Sequence, residues 1–276
     1  METPQSPSGA SVLPAGIATG STLPAADQRP GSAAAPTLFI SDLHLSAAQP
    51  MLRERFERFL LGPARTARAL YILGDLFDHW IGDDDVANAF NESVLASLAA
   101  LVAHGVPVSF LPGNRDFLCG SGAARRAQWR ALDQPVAIAL GSATALILHG
   151  DTLCTDDHAY QRYRSMIQNR IVTTMLLALP LRVRRAIAQS LRARSRDRGA
   201  AMSGPLGDVS EAAVAAAFRA SSLQLMIHGH THRPGCHTVE IDGRPCVRWV
   251  LPDWRADRGG YLRCDDSGGI ALVEFL

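Results

Sequence analysis

Five short motifs in this chain carry side chains of the types that can bind metal ions. They are Ser41-Asp42-Leu43-His44, Gly74-Asp75-Leu76-Phe77-Asp78, Gly113-Asn114-Arg115-Asp116, His149-Gly150-Asp151 and Gly229-His230-Thr231-His232. Each motif places a carboxylate, an amide or an imidazole beside a glycine or a tight turn, where the backbone can bend toward a shared point. Asp42 and His44 are two residues apart on a segment that we expect to be extended, so they should face one side, and the same spacing relates His230 to His232. The spacing therefore predicts one common site.

The donors of the five motifs are two carboxylates, one amide and four imidazoles, more than one ion binds. We call them the donor cluster: Asp42, His44, Asp75, Asn114, His149, His230 and His232. Two metal ions about 3.5 to 4 Å apart with one bridging carboxylate would use all seven, and this arrangement activates a water for in-line attack on phosphorus. Asp75 is the best bridge, because it follows the most central predicted strand. Mixed oxygen and nitrogen donors without thiolate favour Mn²⁺, Fe²⁺, Co²⁺ or Zn²⁺ over Ca²⁺ or Mg²⁺.

Arg115 stands next to Asn114, and its guanidinium fork matches the oxygens of a phosphate group. A diphosphate develops negative charge on its leaving phosphate in the transition state, and a fixed cation at that point lowers the barrier. We therefore predict that Arg115 stabilises this charge. The alternative is an ion pair of Arg115 with Asp116 or Asp78.

The motifs follow short apolar segments that have the length and composition of buried strands. These segments are residues 38–40, 70–73, 106–111, 146–148 and 225–227. Helical spacing of apolar residues lies between several of them, as in 51–61 and 86–102, and this β-α-β order predicts an α/β fold. Ligands of such sheets bind at the carboxyl ends of the strands. The chain end, residues 236–275, instead predicts four successive antiparallel strands joined by turns.

One interval is too long for a simple crossover. About 75 residues separate the strand at 146–148 from the strand at 225–227, where about a dozen would suffice. Residues 160–199 contain ten arginines and one acidic residue, so their charge is +9 and that of the remaining chain is −8. Apolar residues in helical spacing predict a helical lid inserted at about 156–208, which we call the lid segment. The alternatives are a solvated arginine-rich helix and an apolar face that only packs onto the body.

Composition and charge exclude several classes of protein. The 276 residues are 47% hydrophobic and 19% charged, as in globular proteins, and the net charge of +1 gives no global field for nucleic acid. No apolar run reaches the roughly 18 to 20 residues of a membrane-spanning helix. The five cysteines form no Cys-x-x-Cys pair, which favours a reducing compartment, and we expect a cytosolic protein. Residues 1–36 predict a disordered tail before a single domain at 37–276.

The five motifs, in this order, resemble those of the calcineurin-like metallophosphoesterases. Longer segments narrow the resemblance to the UDP-2,3-diacylglucosamine pyrophosphohydrolases of the lipid A pathway; these are residues 70–78, 80–85, 113–118, 149–157 and 228–234. The resemblance implies mixed β-sheets flanked by helices, an α/β sandwich with an inserted lid. It also implies hydrolysis of UDP-2,3-diacylglucosamine to UMP and 2,3-diacylglucosamine 1-phosphate (lipid X), with two Mn²⁺ ions per chain.

Residue by residue, the resemblance implies one ion on Asp42, His44, Asp75 and His232, and another on Asp75, Asn114, His149 and His230. It implies substrate contacts at Asn114, Arg115, Asp157, Ser195 and His230. Two further family contacts, an Asn and a Lys, fall on Gly199 and Met202, where neither side chain is present. The basic and apolar residues of the lid segment suit an acyl substrate and an anionic lipid surface, so we expect peripheral contact with the cytoplasmic face of the inner membrane.

Two other functions fit parts of this pattern. A related phosphoesterase could act on a soluble nucleotide, a dinucleoside polyphosphate or a phosphoprotein, but a soluble nucleotide gives no reason for a long apolar and basic insert. A scaffold could keep the fold as a binding module, but it has no chemical need for all seven donors. The lipid nucleotide hydrolase therefore accounts for the most features of the sequence.

Overall fold

The computed structural model describes residues 35–85, 88–201 and 208–276, and within these it does not describe the side chains of 192–201. The predicted tail lies outside the described residues as far as residue 34. The helices are α1 (Pro50–Leu61), α2 (Ala89–His104), α3 (Ser121–Ala127), α4 (His158–Ile167), α5 (Arg170–Ala178), α6 (Leu181–Ala201) and α7 (Glu211–Ser221). The strands are β1 (Thr37–Ile40), β2 (Ala69–Leu73), β3 (Val108–Leu111), β4 (Arg130–Ala131), β5 (Val136–Leu140), β6 (Ala143–Ile147), β7 (Leu225–His228), β8 (Gly235–Ile241), β9 (Arg244–Val250), β10 (Gly260–Cys264) and β11 (Ile270–Glu274).

The strands form two mixed sheets. The first has the order β11-β10-β1-β2-β3-β4, in which β1 to β4 are parallel and β10 and β11 pair antiparallel at one edge. The second has the order β5-β6-β7-β9-β8, in which β6, β7 and β9 are parallel and the two edge strands are antiparallel. Each sheet thus has a parallel centre, whose carboxyl ends can carry a site.

Side chains alternate along the central strands between two apolar layers, as expected for strands covered on both faces. On β1, Leu38 and Ile40 pack beneath α1 to α3, whereas Phe39 lies between the two sheets. On β6, Ile147 lies between the sheets and Leu146 packs with Phe218 of α7. The order is therefore helices, sheet, sheet, helix, and the predicted α/β sandwich is confirmed.

The predicted run of four antiparallel strands at the chain end is wrong at one connection. β8 pairs with β9 and β10 pairs with β11, but the two hairpins belong to different sheets. The segment between them carries Leu251 and Trp254 into the core, and β10 then pairs with β1. Leu262 and Cys264 of β10 complete the apolar layer between the sheets, which a simple meander would leave open.

The sequence reasoning did not find β4, β5, α3 or α7. α7 buries only Val214 and Phe218 among alanines, and α3 buries only two alanines, so neither has a strong apolar face. β5 is rich in alanine, and β4 has two exposed residues. Their positions are set by packing against the sheets and by backbone pairing, signals that a hydrophobic pattern does not contain.

The lid segment contains α4, α5 and α6 in the part that the structure describes. Asp157 caps α4 by accepting from the N–H of Tyr160, and Asn169 caps α5 by accepting from the N–H of Ile171. Among the described helices of the chain, none has the combination of length and hydropathy required to cross a bilayer.

Candidate dinuclear metal site

The structure brings all seven members of the donor cluster together at one end of the sandwich. Three of the contributing motifs follow β1, β2 and β3 of the first sheet, and two follow β6 and β7 of the second. These strands are parallel within each sheet, so their carboxyl ends meet at a single edge. The site is therefore built jointly by both sheets.

Five members of the cluster have left-handed backbone, a conformation uncommon outside glycine. Their φ angles are 56° at Asp42, 48° at His44, 53° at Asp75, 71° at His230 and 55° at His232. Only eight non-glycine residues in the described part of the chain have positive φ, so the majority lie in this one site. Strained backbone of this kind concentrates at functional sites.

This geometry corrects one expectation. The two Asp-x-His and His-x-His pairs do converge, but not because their backbone is extended. Alternate residues turn into the left-handed region and aim the side chains inward. Residue types and spacing therefore predicted that these side chains meet. The extended backbone expected for the two pairs was wrong.

One half of the cluster consists of Asp42, His44 and His232 beside one oxygen of Asp75. Asp42 Oδ1 lies 3.4 Å from His232 Nε2, and His44 Nε2 lies 3.5 Å from the same nitrogen. His44 Nδ1 lies 3.8 Å from Asp75 Oδ2. Ligand atoms of Asp42, His44 and His232 all lie within 4.8 Å of one another, close enough to share one ion.

The other half surrounds the second oxygen of Asp75. Asp75 Oδ1 lies 3.7 Å from His149 Nε2, which is also 3.0 Å from Asn114 Oδ1 and 3.2 Å from His230 Nδ1. The two oxygens of Asp75 thus face different halves of the cluster. This is the arrangement required of a carboxylate that bridges two ions.

Buried partners hold the motifs in place. Asp116, fully buried, accepts backbone N–H bonds from Leu76 and Gly113 at 2.7 Å each, so it ties the second motif to the third. A Cβ at Gly113 would overlap the carboxylate of Asp75, so only glycine permits this approach. His149 Nδ1 lies 2.9 Å from the carbonyl oxygen of Leu73, which leaves Nε2 directed at the cluster.

Sequence reasoning missed a further carboxylate beside the cluster. Asp253 is buried, and its Oδ2 lies 3.9 Å from His232 Nδ1, on the opposite side of that ring from Asp42. Arg255 and Arg258 both donate hydrogen bonds to it. Asp253 lies outside all five motifs, and a single Asp in a loop gave no signal from which this placement could be read.

Comparison with known proteins agrees with this geometry. Residues 35–234 match the calcineurin-like phosphoesterase family. A UDP-2,3-diacylglucosamine hydrolase of Proteus mirabilis is 46% identical over 87% of this chain and 98% of its own. Proteins of the same name from Aromatoleum aromaticum and Xanthomonas oryzae are 44% and 46% identical, over 86% and 87% of this chain and 96% and 98% of theirs. The chain belongs to the UDP-2,3-diacylglucosamine hydrolase family of calcineurin-like phosphoesterases.

The buried atoms of this family member fit metal ions. Asp42 Oδ1 and His44 Nδ1 are buried and make no hydrogen bond with any residue in the described ranges. An uncompensated buried polar atom is costly, and a cation held in the half that contains Asp42 and His44 would compensate both. The donor set contains carboxylate, amide and imidazole but no thiolate, as hard and borderline divalent ions require. The residues present therefore fit two metal ions.

The protonation of the cluster supports the same conclusion. Burial lowers the pKa of His44 to about 3 and that of His230 to about 4, so both rings are neutral near pH 7 and can each offer a lone pair. Burial also raises the pKa of Asp75 to about 7. Burial by itself would lower the pKa of His149, but Asp75 and Asp42 outweigh it and raise that pKa to about 9. Positive charge is thus favoured between these carboxylates.

The predicted substrate contacts of this hydrolase family member lie partly around the same cluster. Asn114, Arg115 and His230 are half-buried at its edge, and the backbone N–H of Arg115 donates to Asp75 Oδ1 at 2.9 Å. Asp157 serves as the N-cap of α4. The side chain of Ser195 and the whole of Met202 lie outside the described residues, as does the side chain position at Gly199. The five substrate contacts, at Asn114, Arg115, Asp157, Ser195 and His230, remain predictions.

The first helix of the lid segment lies against the cluster. The ring of Tyr160 in α4 is 5.8 Å from that of His230, and its hydroxyl donates to Asp151 Oδ2 at 3.1 Å. Arg164 pairs with the same carboxylate, and Gln161 donates to the Asp151 carbonyl oxygen at 2.8 Å. α4 is thereby joined to the fourth motif.

Proposed function

We propose that this chain hydrolyses the pyrophosphate bond of UDP-2,3-diacylglucosamine, giving UMP and 2,3-diacylglucosamine 1-phosphate in lipid A biosynthesis. The observation that carries the proposal is the bridged, two-part donor cluster, which suits a phosphoanhydride. The names of relatives that share 44–46% identity over most of the chain supply the substrate.

The donor cluster would hold two ions, which we assign as Mn²⁺. Asp42, His44 and His232 would hold one, Asn114, His149 and His230 the other, and Asp75 both. When bound, such ions supply Lewis-acid charge at the phosphoryl oxygens and acidify a water molecule. Asp116 and the Leu73 carbonyl keep the ligands oriented without themselves entering the cluster.

Arg115 and Asn114 would bind the diphosphate. The backbone of Arg115 is fixed at both ends, because its N–H donates to Asp75 and its carbonyl oxygen accepts from the N–H of Trp80 at 3.0 Å. The side chain of Arg115 therefore starts from a fixed point beside Asp75, from which its guanidinium would meet charge that develops on the leaving phosphate. His230 would face the substrate from the other side of the cluster.

The lid segment would hold the acyl chains and contact the cytoplasmic surface of the inner membrane. Large apolar side chains of its helices and of the connection between α5 and α6 are exposed: Met166, Ile171, Met175, Leu177, Leu179, Val183, Ile187 and Leu191. They lie among the arginines that give residues 160–199 their charge of +9. An exposed apolar surface rimmed by cations suits a lipid substrate and an anionic leaflet.

Separation of reaction products tests the proposed activity. Purified protein with Mn²⁺ and UDP-2,3-diacylglucosamine in detergent should release UMP and lipid X, resolved by thin-layer chromatography. UDP-N-acetylglucosamine, which lacks the acyl chains, should react far more slowly. Equal turnover of the two substrates would favour a hydrolase of soluble nucleotides, and release of UDP would contradict cleavage of the anhydride.

Vesicle flotation tests the membrane contact. Each arginine near an anionic leaflet contributes about 1 kcal/mol, an effect that decays within a Debye length of about 8 to 10 Å. The protein should therefore float with phosphatidylglycerol vesicles at low salt and be released as salt is raised, and neutral vesicles should bind it less. Binding that does not respond to salt would remove the electrostatic part of the proposal.

A further inference from the structure

The second and third helices of the lid segment bury very little in the part whose side chains the structure describes. Among residues 168–191, all of which the structure describes, Arg184 is the single buried residue. Its side chain is 3% exposed, while seven large apolar side chains of the same stretch are more than a third exposed. Helices normally bury an apolar stripe, whereas here Leu176 of α5 is only partly buried against the core, so polar contacts must contribute much of the attachment.

The guanidinium of Arg184 contacts a loop of the body. Its Nη1 donates to the Ile81 carbonyl oxygen at 2.6 Å and to Asp84 Oδ1 at 2.9 Å, and its Nη2 pairs with Asp84 Oδ2. Its Nε donates at 3.0 Å to the carbonyl oxygen of Leu179, in the connection between α5 and α6. One planar fork thus joins the acidic loop, which we define as residues 80–85, to the turn between two helices of the lid segment.

The acidic loop is shaped to receive this side chain. Gly82 has a φ of 131°, which L side chains rarely adopt, and a Cβ at that position would overlap Arg184 Nη1. Arg185, the next residue, pairs with the buried carboxylate of Asp85. The Arg184 guanidinium also holds the pKa of Asp84 below its usual range, so this carboxylate stays charged.

The loop is itself fixed to the catalytic end of the body. The N–H of Trp80 donates to the Arg115 carbonyl oxygen, and its indole Nε1 donates to Asp83 Oδ1 at 3.1 Å. Asp83 in turn accepts backbone N–H bonds from Gly120 and Gly122 at the start of α3, at 3.0 and 2.7 Å. A side chain that contacts this loop is therefore linked, through Trp80 and the Arg115 carbonyl oxygen, to the third motif.

We propose that Arg184 is the positioning residue that seats α5 and α6 relative to the donor cluster, and so determines selectivity for the acylated substrate over small phosphodiesters. The inference rests on the proposed function for its substrate and on the contacts above for its geometry. Arg184 does not touch the reacting atoms. It acts by fixing the exposed apolar surface where acyl chains would lie, since a misplacement of about 1 Å can cost on the order of 10²-fold in rate.

Two variants test the contact from both sides. Arg184→Ala should lower kcat/KM for UDP-2,3-diacylglucosamine by roughly 10- to 100-fold, mainly through KM, and leave hydrolysis of bis(p-nitrophenyl) phosphate within about twofold. Arg184→Lys keeps the charge but loses the fork, so it should restore only part of the loss. Asp84→Asn changes a side chain that is 57% exposed, so the body should fold normally and the same selective loss should appear, smaller in size.

Hydrogen–deuterium exchange gives a readout that does not depend on catalysis. Backbone amides of residues 171–191 should exchange faster in Arg184→Ala and Asp84→Asn, while amides of β1 to β3 keep their protection. Arg182→Ala removes an exposed arginine of the same helix and should leave these exchange rates unchanged. Unchanged exchange at 171–191 in both Arg184→Ala and Asp84→Asn would overturn the proposal, and so would equal loss of activity on the two substrates. If the wild type failed to cleave the acylated substrate, the proposed function would fail, and the exchange measurements would still decide whether Arg184 seats the lid segment.

Discussion

The donor cluster and the α5–α6 pair are held by opposite means. The cluster rests on five parallel strands from two sheets, with left-handed backbone at five ligands and a buried Asp116 that ties its loops. In the helix pair, the side chains that the structure describes, 170–191, include one buried residue, Arg184, and Leu176 packs partly buried against the core. Chemistry that needs sub-ångström placement is thus built into the rigid body. The surface that would meet acyl chains is attached by a few polar bonds and the partly buried Leu176. Changes in the two regions should therefore separate catalysis from selectivity.

The largest effect should come from the carboxylate that faces both halves of the cluster. Asp75→Ala should remove both metals and lower kcat/KM for every substrate by on the order of 10³-fold or more. This loss corresponds to several kcal/mol of transition-state stabilisation. Elemental analysis of the purified variant and assays on both substrates measure this. A variant that still held close to two metals per chain would show that Asp75 is not the bridge.

Replacing α5 and α6 should affect one substrate only. A Gly/Ser linker in place of residues 170–201 retains α4, whose Tyr160, Gln161 and Arg164 satisfy the buried Asp151. Turnover of the diacylated substrate should be abolished, and hydrolysis of a small activated phosphodiester should persist, because all seven donors lie outside the deletion. Equal loss of both activities would mean that the helices are structural, and that α5 and α6 do not separate selectivity from catalysis.

Arg115 should matter less than the bridge but more than any residue beyond the cluster. Arg115→Ala should lower kcat by on the order of 10²-fold on both substrates, because a donor to developing charge is lost. Steady-state kinetics provide the measurement, with UMP release as the signal for the nucleotide substrate and nitrophenol release for bis(p-nitrophenyl) phosphate. Arg115→Lys sharpens the test by keeping the charge without the fork. A raised KM with unchanged kcat would make Arg115 a binding residue only.

The smallest effect concerns Asp253 behind His232. Asp253→Asn keeps the shape but removes the charge that faces His232 Nδ1 at 3.9 Å, so metal affinity should fall by roughly 10-fold. Titration of metal into the metal-free protein measures the change, and Asp257→Asn, an exposed acid of the same loop, serves as the control. Equal affinities in the two variants would leave Asp253 a role in the fold alone.

The two regions also differ in how far the sequence alone predicts them. Donors such as Asp42 and Asn114 follow apolar runs that the sequence identifies as strands. Because parallel strands bring their carboxyl ends to one edge, the sequence also predicts that these donors meet. Left-handed backbone at His44 was not predictable, because the sum of surrounding contacts imposes it against the local preference. Asp253 reaches His232 only through the crossing of the chain between sheets.

In the lid segment, composition predicted helices and charge but could not distinguish Arg184 from its neighbours. Ten arginines lie in residues 160–199, and among those whose side chains the structure describes only packing identifies the buried guanidinium. In the sequence, Gly82 was the one residue that hinted at the contact with Arg184. A single glycine beside three aspartates, however, has several explanations. A buried polar contact depends on two distant segments at once, which a local pattern does not encode.

The joint origin of the donor cluster has a thermodynamic consequence. Because the ligands come from both sheets, no fragment with one sheet contains a complete set, and cation binding is linked to assembly of the whole sandwich. Ions that bind only the folded chain raise its stability by RT ln(1 + [M]/Kd), about 2.7 kcal/mol at a free concentration of 100 times Kd. Removal of metal should therefore lower the stability of the folded chain as well as its activity.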